Sequence, residues 1–189
     1  QERVGLGGKP FQLLKFTTMM DSVANRPDGG LVLDTDPEVF WFGRILRKTK
    51  LNEVPQLLNV LRGDMSLVGP RPLTMKSFWR YKPEVQEAIS RVRPGLTGIG
   101  SIVFRDEAGL IARSNLDRNR CYEEIILPYK GALELWYTKN ASLLTDLQLL
   151  AITACVVLFP NVRLHERVFP SLPKPPVSPA DTQVAGEKD

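Results

Sequence analysis

KLNEVPQLLNVLRGDMSLVGPRP, residues 50–72, carries more structural information than any other stretch of this 189-residue chain. Asn52 is a residue type that caps helix N-termini. Glu53 then falls in the first turn, and Pro55 is tolerated there because early amides need no intrahelical partner. Val54, Leu57, Leu58 and Leu61 follow at i, i+3, i+4 and i+7, which predicts a helix with one apolar stripe buried against a core. Gly63 stands where a left-handed cap would close that helix. The apolar run 65–68 reads as a strand or a buried extended segment, and it leads into Gly69-Pro70-Arg71-Pro72. Each proline ring fixes its own φ and restricts the residue before it, so Arg71 keeps little backbone freedom.

Upstream, Arg3-Val4, the GLGGKP segment and residues 11–16 read as strand, glycine turn and strand. Gly5, Gly7, Gly8 and Lys9 lack G-x-x-x-x-G-K-[ST] spacing, so a hairpin turn is favoured over a phosphate loop. Residues 25–37 are turn-rich and polar, a surface loop by composition. Residues 39–48 read as a helix with Val39, Phe42, Ile45 and Leu46 on one face. Downstream, helices are predicted at 75–81, 83–92, 116–133 (interrupted near Pro128) and 142–159, and RVRPGLTG (91–98) is a second rigid turn built on Pro94. The expected fold class is α+β and mostly helical, one small domain over residues 1–159 with a short N-terminal β-hairpin. Residues 160–189 hold Pro160, Pro170, Pro173, Pro175, Pro176 and Pro179 and are expected to be a largely disordered tail. PKPPVSP within it reads as solvated chain in preference to a polyproline ligand.

Composition narrows the chemistry. Apolar residues at 43% and charged residues at 24% are ordinary globular usage, which excludes a fibrous or wholly disordered chain. Cys121 and Cys155 offer neither a disulfide framework nor a zinc pair. His165 is the single histidine, which rules out multi-histidine metal sites and leaves little room for a Ser-His-Asp triad. Any metal must therefore be held by carboxylates, pointing to a hard cation such as magnesium. A formal charge of +4 is a mild bias towards anionic partners. The basic residues are scattered and no aromatic platform interleaves them, so nucleic acid is not an expected partner. LQLLAITACVVLF (147–159) falls well short of the roughly 18–20 residues that span a bilayer. It suits a buried helix, or one lying on a membrane surface.

Two side chains stand out chemically. Arg71, held between Pro70 and Pro72, presents a planar fork suited to two-point binding of phosphate; alternatively it pairs structurally with Asp64 or Asp146. Glu53 at a helix start can share a cation with a diphosphate, or serve as an ordinary first-turn acid. Arg47 and Lys50 lie just upstream, where they can meet phosphates or solvent.

Taken together, residues 50–72 resemble the signature of the bacterial sugar transferases, the monotopic polyprenyl-phosphate phosphoglycosyl transferases. RVGLGGKPFQLLKF (3–16), RVRPGLTG (91–98) and NASLLTDLQLL (140–150) follow the same order as in that family. The resemblance implies transfer of a sugar phosphate from a UDP-sugar to polyprenyl (undecaprenyl) phosphate at the cytoplasmic face of the bacterial inner membrane. The products are UMP and a polyprenyl-diphosphate sugar that starts a surface polysaccharide or glycoconjugate. It further implies amphipathic helices on the membrane surface, and a catalytic part lacking the family's N-terminal re-entrant membrane helix. By the same resemblance Glu53 is the magnesium (Mg2+) ligand, Asp146 a further active-site acid, and Arg47, Arg71 and Arg93 bind phosphate or nucleotide. Pro70, Pro72 and Pro94 are its structural turns. The position of the family's nucleophilic Asp is occupied by Asn52, whose neutral amide is a poor nucleophile. Three consequences are open: another carboxylate (Asp146, Asp64 or Asp106) attacks, transfer is direct, or the chain is a catalytically silent module that binds polyprenyl phosphate or nucleotide sugar.

Overall fold

The structure, a computed structural model, describes residues 1–19, 39–105, 107, 111, 117–159, 162 and 164–175. The polar loop expected at 25–37, Asp106, and residues 160, 161, 163 and 176–189 lie outside the described residues. The domain is α+β and mostly helical, as its sequence predicts.

Glu2–Val4 (β1) and Pro10–Gln12 (β2) pair antiparallel, with Arg3 opposite Phe11. The turn between them uses Gly7 and Gly8 at φ 69° and 74°, a region glycine enters without steric cost. Beyond β2 the chain stays extended and is pinned by the Leu13 amide on the Gln1 carbonyl (2.8 Å) and the Phe16 amide on the Asn52 carbonyl (3.0 Å). Trp41–Lys48 (α1) packs against the turn that follows it.

The segment 50–72 folds differently from its prediction in two respects. Lys50 enters in the left-handed region (φ 60°), Leu51–Glu53 make a 3-10 turn, and the helix proper is Gln56–Arg62 (α2). Pro55 occupies its N-cap position, so Asn52 does not cap it. The apolar stripe also faces outward. Val54, Leu57, Leu58 and Leu61 are exposed, Leu61 by 83%, while Gln56 and Asn59 are buried. The polar face turns inward because the extended chain after β2 presents main-chain groups there. Asn59 receives the Leu14 amide on Oδ1 (3.0 Å), and its Nδ2 donates to the Gln12 carbonyl (2.8 Å) and to Asp64 Oδ2 (3.1 Å). Gly63 closes α2 at φ 84°, as expected.

Ser66–Val68 (β3) runs parallel to Gly95–Thr97 (β4), with Met75–Phe78 (α3) and Pro83–Ser90 (α4) in the connection between them. The ladder extends past the strands: the Gly69 amide donates to the Thr97 carbonyl (2.9 Å) and the Gly95 amide to the Pro70 carbonyl (2.8 Å). A side chain on Gly69 or Gly95 would overlap the facing backbone, so glycine permits this approach. Ile99–Val103 (α5) and Arg118–Cys121 (α6) come next. A π turn at Tyr122–Ile126 then leads into Leu127–Asn140 (α7). The interruption expected near Pro128 is that π turn, which accommodates a residue with no amide to donate.

Leu143–Leu158 (α8) starts at Ser142, whose hydroxyl accepts the Thr145 amide (3.1 Å). Its Leu149, Ile152 and Val156 join Val68, Ile99 and Leu133 in the main core. Leu143, Leu147 and Leu158 of the same helix are exposed, so it is buried on one side only. Packing also continues beyond the expected boundary at Phe159. Leu164–Val168 (α9) is helical, Phe169 is buried edge-on to Trp136 (5.1 Å between centroids), and the Pro173 carbonyl accepts the Tyr129 hydroxyl (3.1 Å). Residues 164–173 are therefore packed on the domain, α9 against α8 and α5, and Phe169 and Pro173 against Trp136 and Tyr129 of α7.

Candidate active site

Arg71 sits at the end of β3, where the ladder bonds of Gly69 and Pro70 clamp the turn from one side. On the other side the Val4 amide donates to the Leu73 carbonyl (2.9 Å), which lays the hairpin along the same turn. Behind Arg71 lies a recess walled by Val4, Leu73, Phe78, Ile89 and the buried Pro70 and Pro94. Backbone and apolar packing thus fix the turn, and Arg71 itself is exposed.

Lys15 reports where that guanidinium lies. Burial lowers the Lys15 pKa most, then the positive charges of Arg3, Arg47 and Arg71, while Glu53 opposes them. Arg3 is lowered by burial and then by Arg71. Side chains from the hairpin, the chain after it, α1, the 3-10 turn and the proline-flanked turn therefore converge. Four cations face one carboxylate in a half-buried setting, an arrangement that attracts a polyanion. Glu53 and Arg71 both act on Lys15, one from the 3-10 turn and the other from the proline-flanked turn.

A second group of ionisable residues lies on the inner side of Arg71. Glu134 is buried on α7, and its carboxyl is pushed up to about 7 by burial, opposed by the Arg71 backbone amide, Lys130 and the Arg71 side chain. Lys130 is lowered by burial and raised by Glu107, which it meets at 2.7 Å. Burial raises Tyr81 and Tyr122, assisted by the nearby acids. Further along α7, the Tyr137 hydroxyl donates to Asp146 Oδ1 (2.9 Å), with the Val68 carbonyl at 3.3 Å as a second acceptor.

Of the residues singled out from sequence, Glu53, Arg47 and Arg71 are brought together. Asp146 stands at the foot of β3, linked to it through Tyr137. Arg93 is exposed and is not among the charges acting on Lys15 or Arg3, although its carbonyl packs against Gly69. The Asn52 carbonyl anchors Phe16, and its Oδ1 is buried without a hydrogen-bond partner among the described residues. Asp64 is engaged by Asn59, which gives it a structural task. Lys15, Arg3, Lys130 and Glu134 were not anticipated. Glu134 had a readable signal: it lies on the α7 stripe with Leu127, Gly131 and Tyr137, a carboxylate in the middle of a buried face.

Among the described residues no three His, Cys, Asp or Glu side chains gather as a metal cage. Glu53 is a single carboxylate beside a cationic cleft. That donor set fits a divalent ion carried in on phosphate oxygens and waters, the usual manner of magnesium, and does not fit an all-protein site.

The family model described as bacterial sugar transferase matches residues 1–160, so the chain belongs to that family. It is 40% identical over 158 residues to the uncharacterised sugar transferase EpsL of Bacillus subtilis, covering 84% of this chain and 68% of that protein. It is 35% identical over 171 residues to the undecaprenyl-phosphate galactose phosphotransferase of Salmonella typhimurium, covering 83% of this chain and 32% of that protein. It is 48% identical over 104 residues to the UDP-glucose:undecaprenyl-phosphate glucose-1-phosphate transferase of Caulobacter vibrioides, covering 54% of this chain and 39% of that protein. The chain thus spans only about a third of the length of several relatives that it matches.

Proposed function

We propose that this chain transfers a sugar phosphate from a UDP-sugar to undecaprenyl or a similar polyprenyl phosphate, releasing UMP. The observation that carries this reading is the proline-flanked Arg71 turn, clamped by the ladder bonds at Gly69 and Pro70, with Arg3, Arg47 and Glu53 also acting on Lys15. Relatives named for the same transfer support it.

The residues divide the work by charge and reach. Arg71, with its backbone held by the ladder, offers a fork that grips two oxygens of a diphosphate without first losing much conformational freedom. Lys15 and Arg3 are half-buried with lowered pKa values, so a bound polyanion relieves their mutual repulsion. Arg47 closes the cleft from α1. Glu53 would hold magnesium, which when bound offsets diphosphate charge and makes UMP a better leaving group. Tyr137 holds Asp146 beside the root of the turn. With Asn52 at the position of the family's nucleophile, the reading commits to direct displacement by the acceptor phosphate or to attack by Asp146.

The exposed apolar surface supports a membrane setting. Trp41, Phe42 and Ile45 of α1, Leu51, and the outer stripe of α2 are all exposed, and α1 packs against the turn that carries Leu51 and Glu53. No helix among the described residues is long and apolar enough to cross a membrane. Instead, α1 and α2 lie flat at the inner-membrane surface on its cytoplasmic side, their apolar faces in the acyl boundary and the cleft within reach of a lipid-linked phosphate.

The test is UMP release from a panel of UDP-sugars, with undecaprenyl phosphate present or omitted, by the wild type and Asn52→Asp. Release that requires both substrates supports direct transfer, and release without acceptor supports a covalent intermediate. Binding of UDP-sugar with no release under any condition, restored by Asn52→Asp, establishes the silent module instead.

A further inference from the structure

Asp146 is an acid on the inward face of α8. It stands at i, i+3, i+7 and i+10 with Leu149, Thr153 and Val156, which puts all four on one stripe. Leu149 and Val156 are buried in the main core, and the Thr153 hydroxyl lies 2.8 Å from that of Thr97 on β4. The helix start is already satisfied without Asp146. Ser142 accepts the Thr145 amide (3.1 Å), and the Thr145 hydroxyl donates to the Asn140 carbonyl (2.8 Å). An acid serving only the helix dipole has no need to face the strands, because the outer side, with Leu143, Leu144 and Leu147 exposed, lies equally near the N-terminus.

Tyr137 is the group that reaches this carboxylate. It is 4% exposed and shares the core with Val68 and Leu149, so packing fixes its ring. Its hydroxyl has one proton and two acceptors, Asp146 Oδ1 at 2.9 Å and the Val68 carbonyl at 3.3 Å. The shorter bond runs to the charged oxygen and is the stronger of the two. Burial, and then the bond to Asp146, push the phenol's pKa up, which keeps it a donor. Among the described residues no other hydrogen bond reaches the Asp146 carboxylate. Val68 ends β3, three residues before Arg71, so one buried oxygen ties the acid of α8 to the strand that carries the proline-flanked turn.

We propose that Tyr137 is the positioning residue for Asp146: it holds one carboxylate oxygen at the end of β3, so that the other is presented to a phosphate bound at the Arg71 turn. The inference rests on the reading that Asp146 belongs to the transferase site. An untethered aspartate samples several rotamers, and each additional setting dilutes the reactive one.

The experiment uses the intact chain as wild type, Tyr137→Phe, Asp146→Asn and the double variant. It measures UMP release from UDP-glucose and UDP-galactose with undecaprenyl phosphate, thermal melting, and the NMR three-bond couplings that report χ1 of Asp146. Tyr137→Phe keeps the ring and removes only the hydroxyl. Its kcat falls about 10–100-fold at an unchanged KM for the UDP-sugar, while Asp146 passes from one χ1 rotamer to an average. Its melting temperature falls by only about 2–4 °C, the effect of one hydrogen bond in a domain of this size. In the Asp146→Asn background the same substitution costs no further activity, because the group it positions has gone. An equal loss in both backgrounds, or a single Asp146 rotamer retained in Tyr137→Phe, overturns the inference. Wild-type UMP release by Asp146→Asn overturns it too, by removing Asp146 from the site. If the wild type or Asp146→Asn releases no UMP, the χ1 couplings decide: averaging in Tyr137→Phe sustains the role of Tyr137, and an unchanged rotamer ends it. Silence of the wild type itself counts against the transferase reading and not against Tyr137.

Discussion

Replacing Asn59 by alanine removes the joint between the cationic strand and the helix that follows Glu53. Asn59 is 0% exposed and makes three side-chain bonds: from the Leu14 amide (3.0 Å), to the Gln12 carbonyl (2.8 Å) and to Asp64 Oδ2 (3.1 Å). A buried partner left unpaired costs about 1–3 kcal/mol, more when charged. Gln12 is exposed and recovers water, so the Leu14 amide and Asp64 dominate the loss. The sum is about 3 kcal/mol, which for a domain of this size lowers the melting temperature by roughly 6–12 °C. Thermal and urea melts measure it directly. Leu14 precedes Lys15, so UDP affinity should fall as well, even under conditions where the variant is fully folded. Asn59→Asp separates the contributions: it keeps the acceptor for Leu14 but sets a second carboxylate beside Asp64, so its deficit is larger at pH 7 than at pH 4. A melting temperature for Asn59→Ala within a degree of the wild type would refute the joint.

Glu53→Gln preserves shape and removes the one acid that acts on Lys15 among the described residues, so magnesium-dependent UMP release should drop at least about a hundredfold with melting unchanged. Turnover at the wild-type rate would remove Glu53 from the site. Arg71→Lys keeps the charge and loses the fork; UMP release should fall about 10–100-fold while stability changes by less than about 1 kcal/mol, and an equal loss of both would make Arg71 structural. Leu58→Ser with Leu61→Ser acts on exposed side chains, so it should reduce binding to anionic lipid vesicles without lowering the melting temperature. A drop in melting temperature would mean that the stripe packs against protein.

Local chemistry was legible in the sequence where it determines geometry by itself. The glycine turn between β1 and β2, the cap at Gly63, the Ser142 start of α8 and the proline-fixed turn around Arg71 all follow from residues adjacent in the chain. The orientation of α2 was not legible. Periodicity at i, i+3, i+4 and i+7 shows that a helix has an apolar face, and says nothing about whether protein or lipid covers it. Asn59 decided the matter through bonds to residues 12 and 14, contacts that no local pattern announces. The cleft was half legible for the same reason. Glu53 and Arg71 lie within one signature, while Arg3 and Lys15 arrive by hairpin pairing and a main-chain bond to Asn52.

One common physical theme links these parts. Stiff backbone brings the charges together before any ligand arrives, so little ordering remains to be done on binding. The parallel ladder holds Arg71, and Asn59 and the Asn52 carbonyl hold the extended segment bearing Lys15.

The convergence of Glu53, Arg71 and Lys15 on one diphosphate is tested most directly by a crystal structure of the protein with UDP and Mn2+, the metal located by its anomalous signal. The expected result is a metal about 2 Å from a Glu53 carboxylate oxygen, bridging diphosphate oxygens that also lie within hydrogen-bond reach of Arg71 and Lys15. A nucleotide bound elsewhere, or a metal that leaves Glu53 untouched while Arg71 and Lys15 face solvent, would contradict it.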